Sequence, residues 1–94
     1  MQLRMKPSQI ARRGWCQHTH ARNTAGRACG VNDPDAVQWD TLGALIKSRE
    51  TGYVSNGAVE SVRLMTGYET IQRWNDQPGR TKNDVVRLLQ GLGL

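Results

Sequence analysis

The chain has 94 residues, which is enough for one domain with a modest hydrophobic core and too few for two domains. It carries 13 basic and 8 acidic side chains, a net charge of +5, and no apolar run that would suit a signal peptide core or a membrane span. With only two cysteines, this composition favours a soluble cytoplasmic protein with reduced thiols.

The positive charge is concentrated in the first third of the chain. Residues 1–32 contain six basic side chains and no acid, whereas the remaining residues hold seven basic and eight acidic side chains. A segment of one sign on an otherwise balanced domain attracts anions. We therefore expect an anionic partner, which is a nucleic acid, a nucleotide or an acidic protein surface. The alternative is a solvated basic surface that keeps a small protein in solution.

The N-terminal third is predicted to combine one short helix with irregular chain. Pro7 or Ser8 starts a helix of at most two turns, and Gly14 can end it in the left-handed conformation. Residues 15–20 show no helical period and are interpreted as an extended segment. Residues 21–32 are rich in Gly, Asn, Thr and Arg and are interpreted as a loop.

A helix is predicted to start at residues 33–35 and to reach about residue 48. Asp33 can cap its free backbone N–H groups, and Pro34 fits its first turn. Asp40 and Lys47 are predicted to point outwards, opposite a buried face of Ala36, Trp39, Leu42, Gly43 and Ile46. A glycine in that face indicates the close approach of another helix.

A third helix is predicted to begin after Ser55, which caps it, and to run to about residue 65. Its inward side chains are Val59, Val62 and Met65, and Gly67 ends it. A short fourth helix is predicted over about residues 68–74.

The last helix is predicted over about residues 82–90. Before it, Pro78 and Gly79 fit the two central positions of a type II turn. Thr81 and Asp84 approximate the capping box that starts the helix. Its apolar side is predicted to contain Val85, Leu88, Leu89 and Leu92.

These elements predict a compact, mainly α single domain over residues 1–94, with four to five short helices and a short irregular or β-like N-terminal segment. The chain has three tryptophans and no phenylalanine. We therefore expect Trp15, Trp39 and Trp74 to be substantially buried as the large apolar side chains of the core.

Two segments carry a family resemblance: G-W-C-Q from position 14 and W-N-D-Q-P-G-R-T from position 74, together with a central Gly43-Ala44-Leu45. With these, the chain resembles a family of small bacterial and phage proteins that is known as a domain of unknown function. The resemblance covers most of the chain and implies a fold, but no reaction and no ligand. By analogy it suggests an accessory role in a phage or prophage, such as antagonism of a host defence component.

The turn before the last helix is a candidate anion site, because free N–H groups and two cations meet there. Alternatively, Asp76 occupies this position by pairing with Arg80 or accepting turn amides, and Asn75 closes the preceding helix. The predicted anion-binding residues are Arg12, Arg13, Arg22, Arg27, Arg80, Thr81 and Lys82. The predicted turn and cap residues are Asp33, Trp74, Asn75, Asp76 and Gly79.

A metal site was considered for Cys16, His18 and His20, which alternate in sequence. An extended strand would place all three on one face, with Cys29 arriving from the following loop. The spacing matches no usual zinc pattern, so we expect a small buried Cys16 and two exposed histidines, and neither a metal nor a cofactor. A disulfide between the two cysteines fits the loop length, and sequence alone does not establish it.

No catalytic motif is present in the sequence: there is no G-x-S-x-G, no H-E-x-x-H and no Gly-rich phosphate loop. Cys16 with a histidine is the one nucleophile pairing to consider. We expect a non-enzymatic protein that binds an anionic partner. The alternative is a structural or protein-interaction module that self-associates through apolar helix faces, with the last helix as the candidate surface.

Overall fold

The computed structural model describes residues 4–54 and 57–94. Its elements in chain order are α1 (Pro7–Arg13), β1 (Ala21–Asn23), β2 (Ala36–Trp39), α2 (Thr41–Glu50), α3 (Gly57–Thr66), α4 (Ile71–Asn75) and α5 (Lys82–Gly91). The predicted mainly α domain with a β-like N-terminal part is therefore confirmed. Within the described residues, each helix is too short or too polar to cross a membrane.

Helix α1 begins at Pro7, as predicted, and is followed by Gly14. The predicted left-handed conformation of Gly14 is wrong, because its φ of −176° is extended. Glycine is required here for another reason. A Cβ atom would lie 2.1 Å from the carbonyl oxygen of Val37, so only glycine lets the chain pass this close to β2.

Strand β2 has extended chain on both sides. It pairs antiparallel with β1, with Ala21 opposite Trp39 and an irregularity after Arg22. On its other side, Trp15 forms a parallel bridge with Trp39. The extended segment predicted over residues 15–20 forms only at its start, where Trp15 makes the bridge, since residues 17–20 are bends. Part of the predicted 21–32 loop is strand β1.

The helix predicted to start at residues 33–35 does not form there. Asp33 instead makes a turn, in which its Oδ1 accepts a hydrogen bond from the Asp35 N–H at 2.8 Å and its carbonyl accepts one from the Ala36 N–H at 3.0 Å. An aspartate before proline suits both a helix cap and such a turn. The turn prevails because Ala36–Trp39 pairs with β1, and this pairing supplies hydrogen bonds that local sequence does not reveal.

Asp40 is the residue that caps α2, and its Oδ1 accepts a hydrogen bond from the Gly43 N–H at 2.6 Å. Asp40 is only 2% exposed, so its predicted outward position is wrong. Lys47 is half-buried rather than outward, with Nζ 5.3 Å from the centre of the Trp39 ring. The close approach predicted at Gly43 is confirmed, although the neighbour is the carbonyl of His20 and not a helix.

Helix α3 packs Val62 inward, and Gly67 follows the helix with the predicted positive φ, at 71°. Met65 was predicted to face inward, but its side chain is exposed, as is that of Leu64. The predicted cap Ser55 lies outside the described residues.

The segment between α4 and α5 follows its prediction closely. Gly79 has a φ of 83°, and the Arg80 N–H donates to the Gln77 carbonyl at 3.0 Å, as a type II turn requires. Thr81 and Asp84 form the predicted capping box. Helix α4 is shifted towards the C-terminus of its predicted span and is capped by Thr70.

The core has two parts. The smaller part contains Ile10, Ala21, Trp39 and Ala44, and lies where α1, the sheet and α2 meet. The larger part joins all five helices through ten buried residues: Ala11, Leu45, Val54, Ala58, Val62, Ile71, Trp74, Val85, Val86 and Leu89. Trp39 and Trp74 are buried as predicted, whereas Trp15 is only half-buried.

Substituting Gly43 with alanine is expected to destabilise the protein by about 1 to 3 kcal/mol, even though alanine is the better helix former. The added Cβ would lie 2.2 Å from the backbone oxygen of His20, so α2 or the preceding chain must move. Urea unfolding measures the change. Gly91→Ala in α5 is the matched control, because its Cβ meets no atom within 4 Å, and it should leave stability unchanged or raise it by up to about 1 kcal/mol. Equal effects of the two substitutions would contradict the close approach.

Candidate anion-binding surface

The two segments that carry the family resemblance contact each other through the side chain of Asn75, which is completely buried. Its Oδ1 accepts three hydrogen bonds: from Trp15 Nε1 at 2.7 Å, from the Thr41 N–H at 3.0 Å and from Thr41 Oγ1 at 2.7 Å. Its Nδ2 donates to the Cys16 carbonyl at 3.1 Å and to Asp76 Oδ1 at 2.9 Å. Asn75, which lies in the second segment, therefore joins that segment to the first one and to the start of α2.

Neighbouring residues strengthen this connection. Gln17 Nε2 donates to the carbonyls of Asn75 and Gln77, each at 3.0 Å. Asp76 Oδ1 accepts from the His18 N–H at 2.9 Å. The predicted role of Asn75 and Asp76 as turn and cap residues thus understates their contacts, because both bind residues about 60 positions away in sequence.

Arg80 and Thr81, two of the predicted anion-binding residues, make intramolecular contacts. The Arg80 guanidinium lies over the Trp74 ring, 4.1 Å from its centre, and Nε donates to the Trp74 carbonyl at 2.9 Å. The Thr81 hydroxyl accepts from the Asp84 N–H. Both side chains contribute to the α4–α5 connection, and Asp76 binds His18 rather than Arg80.

Arg22 and Arg27 lie in the β1 region, apart from α5. Arg22 donates to the carbonyls of Gly26 and Gln17 at 3.0 and 3.1 Å, so its guanidinium holds the loop that follows β1. Arg27 is exposed in that loop. The N-terminal cations are therefore divided between two places in the fold.

Helices α1 and α5 pack side by side and form the clearest cationic surface. Two shallow depressions of about 250 and 230 Å³ lie along their contact and share Arg12 and Gln90. Lys82 Nζ donates to the Arg12 carbonyl at 3.0 Å, which holds the two helices together at this point. We call this surface the α1–α5 track; its basic residues are Lys6, Arg12, Lys82 and Arg87.

Two members of the track, Lys6 and Arg87, are not among the predicted anion-binding residues. Arg87 lines the same depression as Arg12 and Lys82. Arg87 could have been predicted from the amphipathic pattern of α5, whose polar face contains Lys82, Asn83, Arg87 and Gln90. The only acid on α5, Asp84, faces the capping box. Arg13 is exposed at the end of α1.

The candidate metal ligands Cys16, His18, His20 and Cys29 do not form a ligand cluster among the described residues. His18 has a positive φ of 73°, which breaks the strand-like alternation with His20. Its ring lies 4.0 Å from Asp76, whereas the ring of His20 bonds Asp40 at 3.1 Å. Across residues 4–54 and 57–94, no three His, Cys, Asp or Glu side chains group as metal ligands would.

Cys16 is buried, as expected. Burial, together with the nearby carboxylate of Asp40, raises the pKa of the Cys16 thiol to about 11. The thiol donates to the Thr19 carbonyl at 3.5 Å. At neutral pH it is therefore protonated, which is the opposite of the lowered pKa that activates a nucleophilic cysteine.

A model of a family of unknown function (DUF6197) matches residues 7–91, so the chain belongs to that family. The matched region contains both segments that Asn75 joins. Searches of curated proteins and of solved structures each found no match. The family description assigns no ligand.

Replacing Asn75 with alanine is expected to destabilise the protein by at least about 3 kcal/mol. The change leaves the Trp15 indole N–H and the Thr41 N–H without their acceptor, and each buried unpaired group costs about 1 to 3 kcal/mol. Asn83→Ala, at an exposed position of α5, is the control and should change stability by less than about 0.5 kcal/mol. Urea unfolding at neutral pH compares them. A similar midpoint for both variants would show that Asn75 does not hold the segments together.

Asp40→Asn should become more stable relative to the wild type as the pH rises. Burial raises the pKa of Asp40, more than its hydrogen bonds to Gly43 and His20 lower it. The folded state therefore holds the proton more tightly than the unfolded state, and ionisation costs stability. This cost is absent below the unfolded pKa of about 4 and is complete above the raised folded value.

Urea unfolding at about pH 3.5 and pH 7 checks this expectation. Asparagine keeps an acceptor for the Gly43 N–H, so the gain at pH 7 reflects the missing charge. Asp40→Ala removes the cap as well and should be destabilised at both pH values. If the stability difference between Asp40→Asn and the wild type stays constant with pH, the raised pKa of Asp40 is contradicted.

Proposed function

We propose that this protein is a non-enzymatic binding protein that recognises an anionic partner through the α1–α5 track. The observation that supports the proposal is that the cations of the track form no ion pair with an acid of the described chain. Among the described residues, which include all eight acids of the chain, the ion pairs of arginine or lysine are Arg63 with Glu60 and Arg73 with Glu69. The track cations have no acid within ion-pair distance, so their field is available to a partner.

Two further features support this proposal. The cations belong to elements that pack against each other, so their positions are held by the core rather than by a loose segment. Exposed Arg13 extends the charge at the end of α1. Arg22 and Arg80 remain part of the proposed positive surface, but each guanidinium makes two contacts within the protein. They are therefore poorer sites for a test than Lys82, whose exposed ammonium makes one such contact.

The resemblance to small bacterial and phage proteins extends the proposal to a cellular setting. We propose an accessory role for a phage or prophage in the cytoplasm, such as antagonism of a host defence component. This part rests on analogy and not on the site.

Binding to immobilised heparin, a generic polyanion, tests the proposal. One variant carries Arg12→Glu, Lys82→Glu and Arg87→Glu in the track. The control carries Arg49→Glu, Arg63→Glu and Arg73→Glu on α2, α3 and α4, and has the same net charge. We expect the wild type and the control to elute at clearly higher salt than the track variant, because contacts between the track cations and the polyanion, and not total charge, determine retention.

Circular dichroism first establishes that both triple variants are folded. Equal elution of the two variants would mean that net charge alone acts. Failure of the wild type to bind at about 50 mM salt would end the proposal, since electrostatic binding is strongest at low salt.

The second candidate function is self-association through an apolar helix face. The predicted surface on the last helix faces the core, since Val85 and Leu89 are buried and Leu88 and Leu92 pack against the core cluster. Leu64 and Met65, which are 65% and 59% exposed on α3, now favour this alternative. Sedimentation at low and high salt distinguishes the candidates, because an apolar dimer persists at high salt and polyanion binding does not.

A further inference from the structure

The shape of the α1–α5 track favours an elongated ligand. Its two depressions are adjacent, because Arg12 and Gln90 line both of them. Cations lie at several points along it, from Lys6 at the start of α1 to Arg87 in the middle of α5. Arg12 lines both depressions, Lys6 lines one of them, and Lys82 and Arg87 line the other, so a ligand that contacts all four cations must extend over both.

The composition of the track argues against recognition of bases. Its lining contains no aromatic ring. The tryptophans are buried or half-buried elsewhere, and Tyr53 and Tyr68 pack against the core. Single-stranded nucleic acids and nucleotides are usually held by stacking on aromatic side chains, so the track lacks their main contact.

The same lining argues against an acidic protein as partner. Protein interfaces are anchored by a central group of apolar or aromatic side chains. The track offers only Val86, which is 6% exposed, and Leu94 at one end. The rest of the surface is cationic or carries amides, as in Gln9, Asn83 and Gln90, which suit phosphate and sugar oxygens.

The packing of α1 against α5 argues against entry of α5 into the major groove of a duplex. Two packed helices with axes about 8 to 10 Å apart span about 20 Å, whereas the major groove of DNA is about 12 Å wide. Arg12 of α1 lines the same depression as Lys82 and Arg87 of α5, so the cationic face of α5 is bordered by α1. The surface can instead lie against the backbone, where each strand presents one phosphate per about 3.4 Å of helix axis.

From these observations we infer that the α1–α5 track binds the phosphodiester backbone of a double-stranded nucleic acid without reading its bases. The inference rests on the proposed function and specifies the partner. Lys6, Arg12, Lys82 and Arg87 contact phosphates, and the neighbouring amides contact sugar and phosphate oxygens.

The experiment compares four probes by fluorescence anisotropy or competition at about 50 mM salt. The probes are two DNA duplexes of about 20 base pairs with unrelated sequences, one of their single strands, and a polyglutamate peptide. We expect the two duplexes to bind with affinities that agree within about threefold. The single strand and polyglutamate should bind at least about tenfold more weakly, because they do not present paired backbones at a fixed spacing.

Variants locate the contact. The triple reversal of Arg12, Lys82 and Arg87 should reduce duplex affinity by more than about tenfold. It should also make the negative slope of log affinity against log salt shallower by about 2.7, or about 0.9 for each lost phosphate contact. The charge-matched triple reversal of Arg49, Arg63 and Arg73 should leave that slope unchanged. If the track triple is unfolded, Arg12→Gln with Arg87→Gln is used, and the expected loss of slope is about 1.8.

The outcomes separate this inference from the proposed function. Equal or tighter binding of the single strand or polyglutamate, still lost in the track variant, would overturn the duplex inference and leave the anionic-partner proposal standing. A difference above about tenfold between the two duplexes would overturn backbone-only recognition. Equal loss in the two triple variants, or no binding to any probe, would overturn both.

Discussion

The fold depends on the burial of one polar side chain. Asn75 has no contact with water, so each of its donors and acceptors must be satisfied by the protein. Its partners are Trp15, Cys16, Thr41 and Asp76, which belong to the extended segment after α1, the start of α2 and the end of α4. An apolar core tolerates small shifts, but this network does not, because a displacement of any element leaves a buried group unpaired.

The contacts of Asn75 also explain which features could be predicted from sequence. The turn at Pro78 and Gly79 and the capping box of Thr81 and Asp84 were predictable, because their hydrogen bonds join residues at most three positions apart. Residues 33–40 were not, because the choice between helix and strand was decided by β1 and by the chain after Gly14. Local signals at Asp33 and Asp40 were of the same kind, and only distant pairing distinguished them.

The candidate surface was partly predictable for a similar reason. Composition revealed an excess of positive charge in the first third of the chain, but it could not say which cations already bind the protein. Arg22 holds a loop and Arg80 covers Trp74, whereas Arg12 shares a surface with Lys82 and Arg87 from the other end of the chain. A charge pattern along a sequence therefore becomes a binding surface only after folding selects its members.

The position of Asn75 in the chain has a consequence for the order in which the protein can fold. Asn75 is the hydrogen-bond partner of the Trp15 indole, the Cys16 carbonyl and the Thr41 N–H, and it follows these residues in the chain by 34 to 60 positions. Until the ribosome has released that residue, an emerging chain cannot bury these groups without loss, and its N-terminal half stays open. Closing such long loops is slow compared with forming helices, so we expect the elements joined by Asn75 to assemble together once it is available, rather than one at a time.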